Sequence, residues 1–496
     1  QDASETNNKG KIVEQRFGMT LFPFIKTNDE NISPNYRVQL LDSDTLKETI
    51  VNDYELHFYN NKSPKKSLNT DSSIRTDKNS SKSKVTSKYY ILKNEFDFIQ
   101  VSTQQTNGVI IPKWKPYTRG NSKFSFAVDF GTTNTHIEIS EEDNEPVPFS
   151  IENNDEQIAS LFDPARVDDA LEKEAAFSLK ASIDMEFVPK NIGSGFDTKF
   201  PHRTVLYEKN NFDPDKTTHC LADYNIPFVY GKIALRDGKV VPNLKWAKRG
   251  KLNEIRSKGF FEELIMLMRS KVLLNGGDPN STELTWFFPS SMSSARIGDL
   301  TQNWNETFKN YFPNSPTPTR ISESLAPFYH IKHKFPGGGM SAPAVGVDIG
   351  GGTTDVVIFQ QGNPQFMTSF KMAANTLFGD GFQQGIAPEN GILNKYIPEF
   401  KKLLKANKLT ELSFALDDVI SKKRSEDINS FLFSIENNPK VERDQADKFS
   451  YSKMLAKDGD LKVVFLYFYT SIIYHVALIT KAKNIEKPKD LFFSGT

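Results

Sequence analysis

Two distant segments of the chain are written to one plan, and that plan constrains the fold more than any other feature. Residues 126–133 read Phe-Ala-Val-Asp-Phe-Gly-Thr-Thr, and residues 345–354 read Val-Gly-Val-Asp-Ile-Gly-Gly-Gly-Thr-Thr. Each runs from an apolar strand to an aspartate, a glycine turn and a threonine pair, and each leads into a second strand, at 135–139 and 356–359. Glycine lets the backbone turn tightly with positive φ and come close to a ligand. Successive N–H groups in such a turn point into one concavity, which suits phosphate oxygens. Threonine hydroxyls add donors at the rim. The aspartate sets a carboxylate beside those phosphates, and the two anions tolerate each other only with a cation between them, usually Mg²⁺. One such hairpin alone reads equally well as a structural turn. Two that face each other can hold one polyphosphate from both sides, and their repetition points to a duplicated half-domain.

A chain of 496 residues is too long for one ordinary core. From about residue 123 onward, strand and helix patterns alternate. Residues 261–274 carry apolar side chains at helical spacing and stop at Gly276-Gly277. Residues 283–288 and 344–349 read as buried strands, 337–339 as a flexible glycine link or a tight turn, and 463–479 as a helix before a strand at 491–493. Such alternation predicts an α/β fold. The apolar run 463–479 contains Thr470, Ser471 and His475. It is shorter than the roughly 20 residues that cross a bilayer, so it reads as a buried helix and not as a membrane span.

Residues 1–120 have a different texture and read as a separate β-rich unit, with strands at 54–59, 89–92 and 96–101. Within it, residues 61–88 hold eight basic and two acidic residues. That composition predicts a disordered Lys/Ser-rich loop, or else a site for an anionic partner. Over the whole chain Lys+Arg and Asp+Glu are both 62, so no global field favours nucleic acid or an anionic membrane. Hydrophobic residues at 38% and charged residues at 25% match a soluble globular protein. The one cysteine, Cys220, cannot form an internal disulfide, and no Cys/His group has zinc-site spacing; both fit a cytoplasmic setting. The first residue is Gln1, with no charged-then-apolar signal pattern after it, which suggests a processed boundary.

The two motifs resemble those of the actin/Hsp70/sugar-kinase superfamily. Residues 129–135 are similar to its first phosphate motif, and residues 348–355 to its second, in the form used by Hsp70 and by the bacterial proteins FtsA and MreB. The segment Arg320-Ile-Ser-Glu-Ser-Leu-Ala-Pro327 resembles the Hsp70 connecting segment, with Glu323 as the glutamate that borders the site. Residues 374–382, which include Gly379, resemble the glycine turn that opens the next helix. Phe493-Ser-Gly-Thr496 resembles the start of the adenosine motif, cut short at Thr496 and with Ser494 where glycine is common.

The resemblance covers residues 123–496. It implies duplicated actin-like ATPase (ribonuclease H-like) lobes, at 121–336 and 337–496, around a nucleotide cleft, with the β-rich domain of 1–120 added. It implies that Gly131, Thr132, Thr133 and Asn134 hold the β/γ-phosphates of ATP from one lobe. Gly350, Gly351, Gly352, Thr353 and Thr354 would hold them from the other. Asp129 and Asp348 would hold hydrated Mg²⁺, with Glu323 and Asp355 near the metal or the attacking water. Gly379 would border the site, and Gly495 and Thr496 would approach the ribose or adenine. Hsp70 sets a lysine against the γ-phosphate, and Lys245 or Lys248 stands in the comparable stretch.

Three functions follow from the resemblance. One is an Hsp70- or actin-like ATPase, chaperone-like in that lobe motion signals to a protein partner. A second is an actin-like filament or scaffold protein with slow or no hydrolysis. The third is a small-molecule kinase of the same fold, for which the sequence offers neither an acceptor site nor a general base. Residues 1–120 are expected to recognise the partner, so that their removal leaves ATP binding intact.

Overall fold

The computed structural model describes residues 17–27, 32–42, 54–77, 84–102, 107–117, 120–151, 200–209, 238–334, 343–361, 363–380, 390–421, 423–436 and 445–495, with a few single positions between them. Cys220, the 337–339 link and Thr496 lie outside the described residues.

The N-terminal part consists of strands. These are β1 (Phe17–Phe22), β2 (Tyr36–Asp42), β3 (Glu55–Tyr59), β4 (Asp71–Asp77), β5 (Lys84–Leu92), β6 (Phe98–Ser102) and β7 (Asn107–Ile110). One antiparallel sheet runs β1-β2-β5-β4, and a second runs β3-β6-β7. Alternate residues turn inward, as a two-residue side-chain period requires. Tyr36, Val38, Leu40, Phe58 and Ile99 meet around Phe96, which sits edge-on to Tyr36 and Phe58 at 5.1 and 5.0 Å.

The Lys/Ser-rich stretch 61–88 departs from the loop expected of it. Its second half supplies β4 and the start of β5, in antiparallel register from Asp71–Ile91 to Asp77–Lys84. A strand is held by its backbone ladder and needs little apolar content when it lies at a sheet edge, as β4 does. Composition therefore concealed it. Lys88 is itself buried, and its ammonium donates to the Tyr54 carbonyl at 2.7 Å.

The two echoing segments form matching sheets. In the first, β8 (Phe124–Phe130) and β9 (Asn134–Glu141) make an antiparallel hairpin, and β10 (Glu283–Phe288) and β11 (Thr319–Ser322) add in parallel on the far side of β8. In the second, β12 (Ala344–Ile349) and β13 (Thr354–Gln360) make the hairpin. There β14 (Asn363–Phe370) pairs with β13, and β15 (Asp490–Gly495) adds in parallel to β12. The order is thus hairpin first, then a parallel strand beside its first arm, in both sheets. Mixed sheets of this kind need covered faces. Helices α1 (Lys251–Leu274), α2 (Ser294–Tyr311) and α3 (Ala326–Lys334) belong to the first half and its connection.

Helix α1 lies between the first hairpin sheet and the N-terminal strands, which is why apolar residues surround it. Phe260, Phe261, Leu264 and Leu267 are fully buried; the Phe261 ring meets Phe130 edge-on at 4.9 Å and stacks on Trp304 at 3.9 Å. On its other side Glu263 pairs with Arg37 of β2 at 2.6 Å, both buried. Phe22 and Tyr89 belong to the same core as β8 and α1, and β1 pairs at Leu21 with Ala159. The N-terminal strands are therefore packed into the first hairpin's core and do not stand apart from it.

Helices α4 (Gly391–Ala406), α5 (Thr410–Ser421), α6 (Ser425–Ile435) and α7 (Tyr451–Lys457) share a separate core around Phe400, Leu416, Phe431 and Tyr451. Helix α8 (Gly459–Ala482) then lies on the second hairpin sheet, with Phe468, Ile472 and Val476 against Val345, Val347 and Ile349. The expectation of a buried helix fails on its outer side. Leu466 is 69% and Tyr467 75% exposed, and Val463, Tyr474 and Leu478 are exposed as well. Only one face has a sheet to cover it, and apolar content alone does not supply a second partner. By length and composition α8 could also cross a membrane, contrary to the estimate from residues 463–479.

Candidate functional site

The turns of the two hairpins meet. A Cβ added to Gly351 would lie 2.3 Å from Thr133 Oγ1, and one added to Gly352 would lie 3.0 Å from Thr132 Oγ1. Glycine is required at 351, where Thr133 of the opposite turn occupies the space, and the fit at 352 is tight. Within the second turn, the Gly350 N–H donates to the Thr353 carbonyl at 2.9 Å. The Gly350 and Gly351 carbonyls accept from the N–H groups of Ala374 and Asn375 at 3.0 and 2.8 Å. The first turn is tied down through Thr133, whose carbonyl accepts from the Thr204 N–H at 2.9 Å. Gly131 folds so closely that a Cβ there would stand 2.1 Å from the Asn134 carbonyl.

Beside these turns the structure collects charge. Asp129 and Asp348 end the first arm of each hairpin, Asp129 exposed and Asp348 half-buried. Asp355 and Glu323 are buried. Lys245, in a short 3-10 turn (Leu244–Trp246), is buried and paired with Glu323; Lys248 is exposed on the surface. Of the two lysines, Lys245 is the one that lies among these carboxylates. Asp355 accepts from the Ser324 hydroxyl at 2.8 Å and from Ser369 at 3.3 Å. Asp348 accepts from the Ser494 hydroxyl at 2.8 Å.

These carboxylates crowd one another in a poorly solvated space. Burial pushes Asp348 up to about 6, helped by Asp129 and Asp355 and opposed by Ser494 and Lys245. Burial likewise raises Asp355 and Glu323. For Lys245 burial acts downward, but Glu323, Asp129 and Asp355 outweigh it and hold the ammonium above its ordinary value. One cation among four carboxylates leaves a net negative site made of hard oxygen donors. Among the described residues no three His, Cys, Asp or Glu side chains converge as a metal cage. The carboxylate oxygens of Asp129 and Asp348, at matching ends of the two hairpins, are donors of the kind that hold Mg²⁺ alongside phosphates and water.

The remaining predicted positions fall nearby or outside. Thr353 and Thr354 are buried in the turn, and Thr354 donates to the Met372 carbonyl at 2.5 Å. Gly379 is buried, and a Cβ there would stand 2.8 Å from Glu426 Cγ. Gly495 pairs with Ile349 and has φ 116, and a side chain would strike the Ile349 backbone at 2.1 Å. Thr496 lies outside the described residues.

Four positioning residues escaped the sequence reading. The Trp246 indole donates to Thr132 Oγ1 at 2.9 Å. Arg296 of α2 donates to the Leu244 and Lys245 carbonyls at 2.8 and 3.3 Å, fixing the turn that presents Lys245. Asn375 reaches both Thr133 and Glu426 at 3.5 Å. Ser494, noted only as a departure from glycine, holds Asp348. Trp246 and Asn375 adjoin recognised motifs and could have been suspected from that. Arg296 gave no local signal, because its contact spans 51 residues.

No protein-family model matches the sequence, and no curated protein is similar to it. Among solved structures the chain is similar to MreB5 of Spiroplasma citri bound to ADP, with 13% identity and a TM-score of 0.29, over 51% of this chain and 54% of that one. It is also similar to an exopolyphosphatase from Cytophaga hutchinsonii, with 12% identity and a TM-score of 0.24, over 57% and 63%. A non-polymerising MamK mutant bound to AMPPNP gives 12% and 0.28, over 67% and 84%. The chain thus spans about half the length of the MreB5 structure. Likeness at this level says nothing of the site, which stands on this chain's own geometry.

Proposed function

We propose that this chain binds ATP with Mg²⁺ between its two glycine turns and hydrolyses it, and that the cycle moves the two hairpin sheets relative to each other. The observation that carries this reading is the meeting of turns 131–133 and 350–352 beside four carboxylates and one buried lysine. Backbone N–H groups of the glycine turns and the Thr132, Thr133 and Thr353 hydroxyls supply phosphate donors from both sides. Asp129 and Asp348 would hold a magnesium ion through its water shell, and the ion would neutralise charge on the phosphate tail. Lys245, released from Glu323, would place its ammonium on the γ-phosphate.

In the hydrolysis step a water oxygen bonds to the γ-phosphorus, the bond to the β–γ bridging oxygen breaks, and ADP leaves with that electron pair. Glu323 or Asp355 accepts the water's proton; their raised affinity for protons suits them to that task. Both turns touch the same phosphate, so its loss removes a bridge between the sheets. Coupling to a protein partner belongs to the same proposal.

The test is calorimetry of ATP with and without Mg²⁺ on the wild type and on Asp348→Ala, followed by phosphate release. We expect metal-dependent binding in the wild type that weakens at least tenfold in the variant, with the fold retained by circular dichroism. Equal binding in the two proteins would remove Asp348 from the metal site. No binding to either would end the nucleotide reading. Phosphate release without any added acceptor counts against a kinase.

A further inference from the structure

The N-terminal sheet β3-β6-β7 turns one face inward and one outward. Residues opposite each other on neighbouring strands share a face, as do residues two apart along one strand. Leu56, Phe58, Ile99 and Val101 point into the N-terminal core. The outward face therefore carries Tyr59 opposite Phe98, and His57 opposite Gln100 opposite Val109. Tyr59 and Phe98 stack at 5.0 Å with their planes 8° apart, and the Tyr59 hydroxyl donates to Gln100 at 3.0 Å. Beside these fixed rings two aliphatic side chains stand out into solvent. Val109 is 63% exposed, and Ile111, just past the end of β7, is 76% exposed.

One end of this sheet is positive. There the chain leaves β3, enters β6 and leaves β7, and the segments around those three points expose Lys62, Lys65, Lys66, Lys93 and Lys113. The carboxylates in the same segments, Glu95 and Asp97, are engaged within the fold. Glu95 accepts from Thr27, and Asp97 accepts from Lys26 and, at 2.6 Å, from the Asn61 N–H. The lysine-rich turn is itself tied down. The Lys62 N–H donates to the Asn60 side chain at 2.8 Å, the Lys66 N–H to the Ser63 carbonyl at 3.2 Å, and the Leu68 N–H to the Phe58 carbonyl at 2.8 Å. Lysines held beside an apolar face, with the local carboxylates already used, form a rim complementary to negative charge from outside the chain.

We propose that this face docks an acidic segment of a partner protein, its apolar or aromatic side chains over Val109 and Ile111 and its carboxylates on the lysine rim. The facing sides of Tyr59 and Phe98 are spent on each other, so bases lack the open platforms that single-stranded nucleic acid uses. Two aliphatic side chains also give a bilayer little to take up. The surface lies outside the glycine turns and does not depend on nucleotide binding, so the two readings are tested separately.

The experiment is fluorescence anisotropy of a labelled random copolymer of glutamate and tyrosine titrated with the whole chain. Polyglutamate, a lysine–tyrosine copolymer, oligothymidylate and phosphatidylserine vesicles serve as competitors. We expect the acidic copolymer to bind saturably and more weakly as salt rises. Polyglutamate should compete about tenfold less well, for want of apolar side chains, and the lysine–tyrosine copolymer should not compete. Lys65→Glu with Lys66→Glu, and separately Val109→Asp with Ile111→Asp, should each weaken binding by about tenfold. All of these side chains are exposed, so both variants should keep the circular dichroism of the wild type. No binding of the acidic copolymer, equal competition by polyglutamate, or unchanged affinity in either folded variant would overturn the assignment. Stronger competition by oligothymidylate or by vesicles would replace the protein partner with nucleic acid or lipid and overturn it as well.

Discussion

At the scale of single residues, the site is a balance between crowded carboxylates and the cation they lack. Asp348 states it most clearly. Its carboxyl titrates near 6 in the folded chain, against about 4 when unfolded. A raised carboxyl destabilises the fold once it ionises. The fold is therefore free of this cost below about pH 4, loses stability as pH rises toward 6, and carries the full cost above that. Asp348→Asn removes the charge and should stabilise the metal-free protein at pH 7.5 by about 1–2 kcal/mol, measured by denaturant unfolding, while abolishing Mg²⁺-dependent ATP binding. In the wild type, protons compete with the metal, so Mg²⁺-dependent affinity should fall as pH drops through 6 and hold steady above 7. A destabilised asparagine variant would mean that Asp348 is a structural acceptor for Ser494 and nothing more.

At the scale of elements, what was legible in the sequence follows from what each element asks of its residues. The hairpins β8–β9 and β12–β13 were readable because their turns admit almost no other residues: Gly351 faces Thr133 and Gly131 faces Asn134. Residues 344–349 were readable as a buried strand because they are buried at all but one position beside their parallel neighbour, whereas 283–288 form the expected strand but bury only Leu284 and Trp286. Edge strand β4 was not, since its stability lies in backbone pairing that leaves no mark on composition. The outer face of α8 was misjudged because apolarity records a preference for burial and not the presence of a partner. In the site, Asp129, Glu323, Asp348 and Asp355 stood within motifs, whereas Arg296 acts through a backbone contact that no local pattern announces.

Helix α4 gives a test at this scale. Its N-cap Asn390 accepts from the N–H groups of Ile392 and Leu393, and its amide donates to the carbonyls of Leu377 and Gly379. Asn390→Ala should cost about 2 kcal/mol, at the upper end for a cap because it also strands two carbonyls. It should also loosen the Gly379 turn, seen as a weaker ATP affinity along with the lower unfolding midpoint. A stability loss without any change in affinity would disconnect that turn from the site.

At the scale of the whole molecule, the N-terminal strands are part of the first hairpin's core. Arg37 pairs with Glu263, and Phe22 and Tyr89 pack with α1 and β8. Glu263→Ala should cost about 1–3 kcal/mol in denaturant unfolding, the loss of one hydrogen-bonded carboxylate from a buried arginine that Glu262 also faces at 3.4 Å. Removal of residues 1–120 should abolish ATP binding by unfolding this region, contrary to the modular arrangement expected from composition. A soluble, cooperatively folding deletion that still binds ATP would restore the modular view.

The direct contact between the two glycine turns also has a kinetic consequence. With Gly351 lying against Thr133, a triphosphate bound between the turns as proposed would require the jaws to separate first, so its admission would be gated by an internal motion of the protein. In stopped-flow mixing, with the Trp246 indole as a built-in optical probe, the observed rate should climb with ATP concentration and then level off at the rate of opening. A rate that stays linear up to millimolar ATP would mean that the doorway already stands ajar.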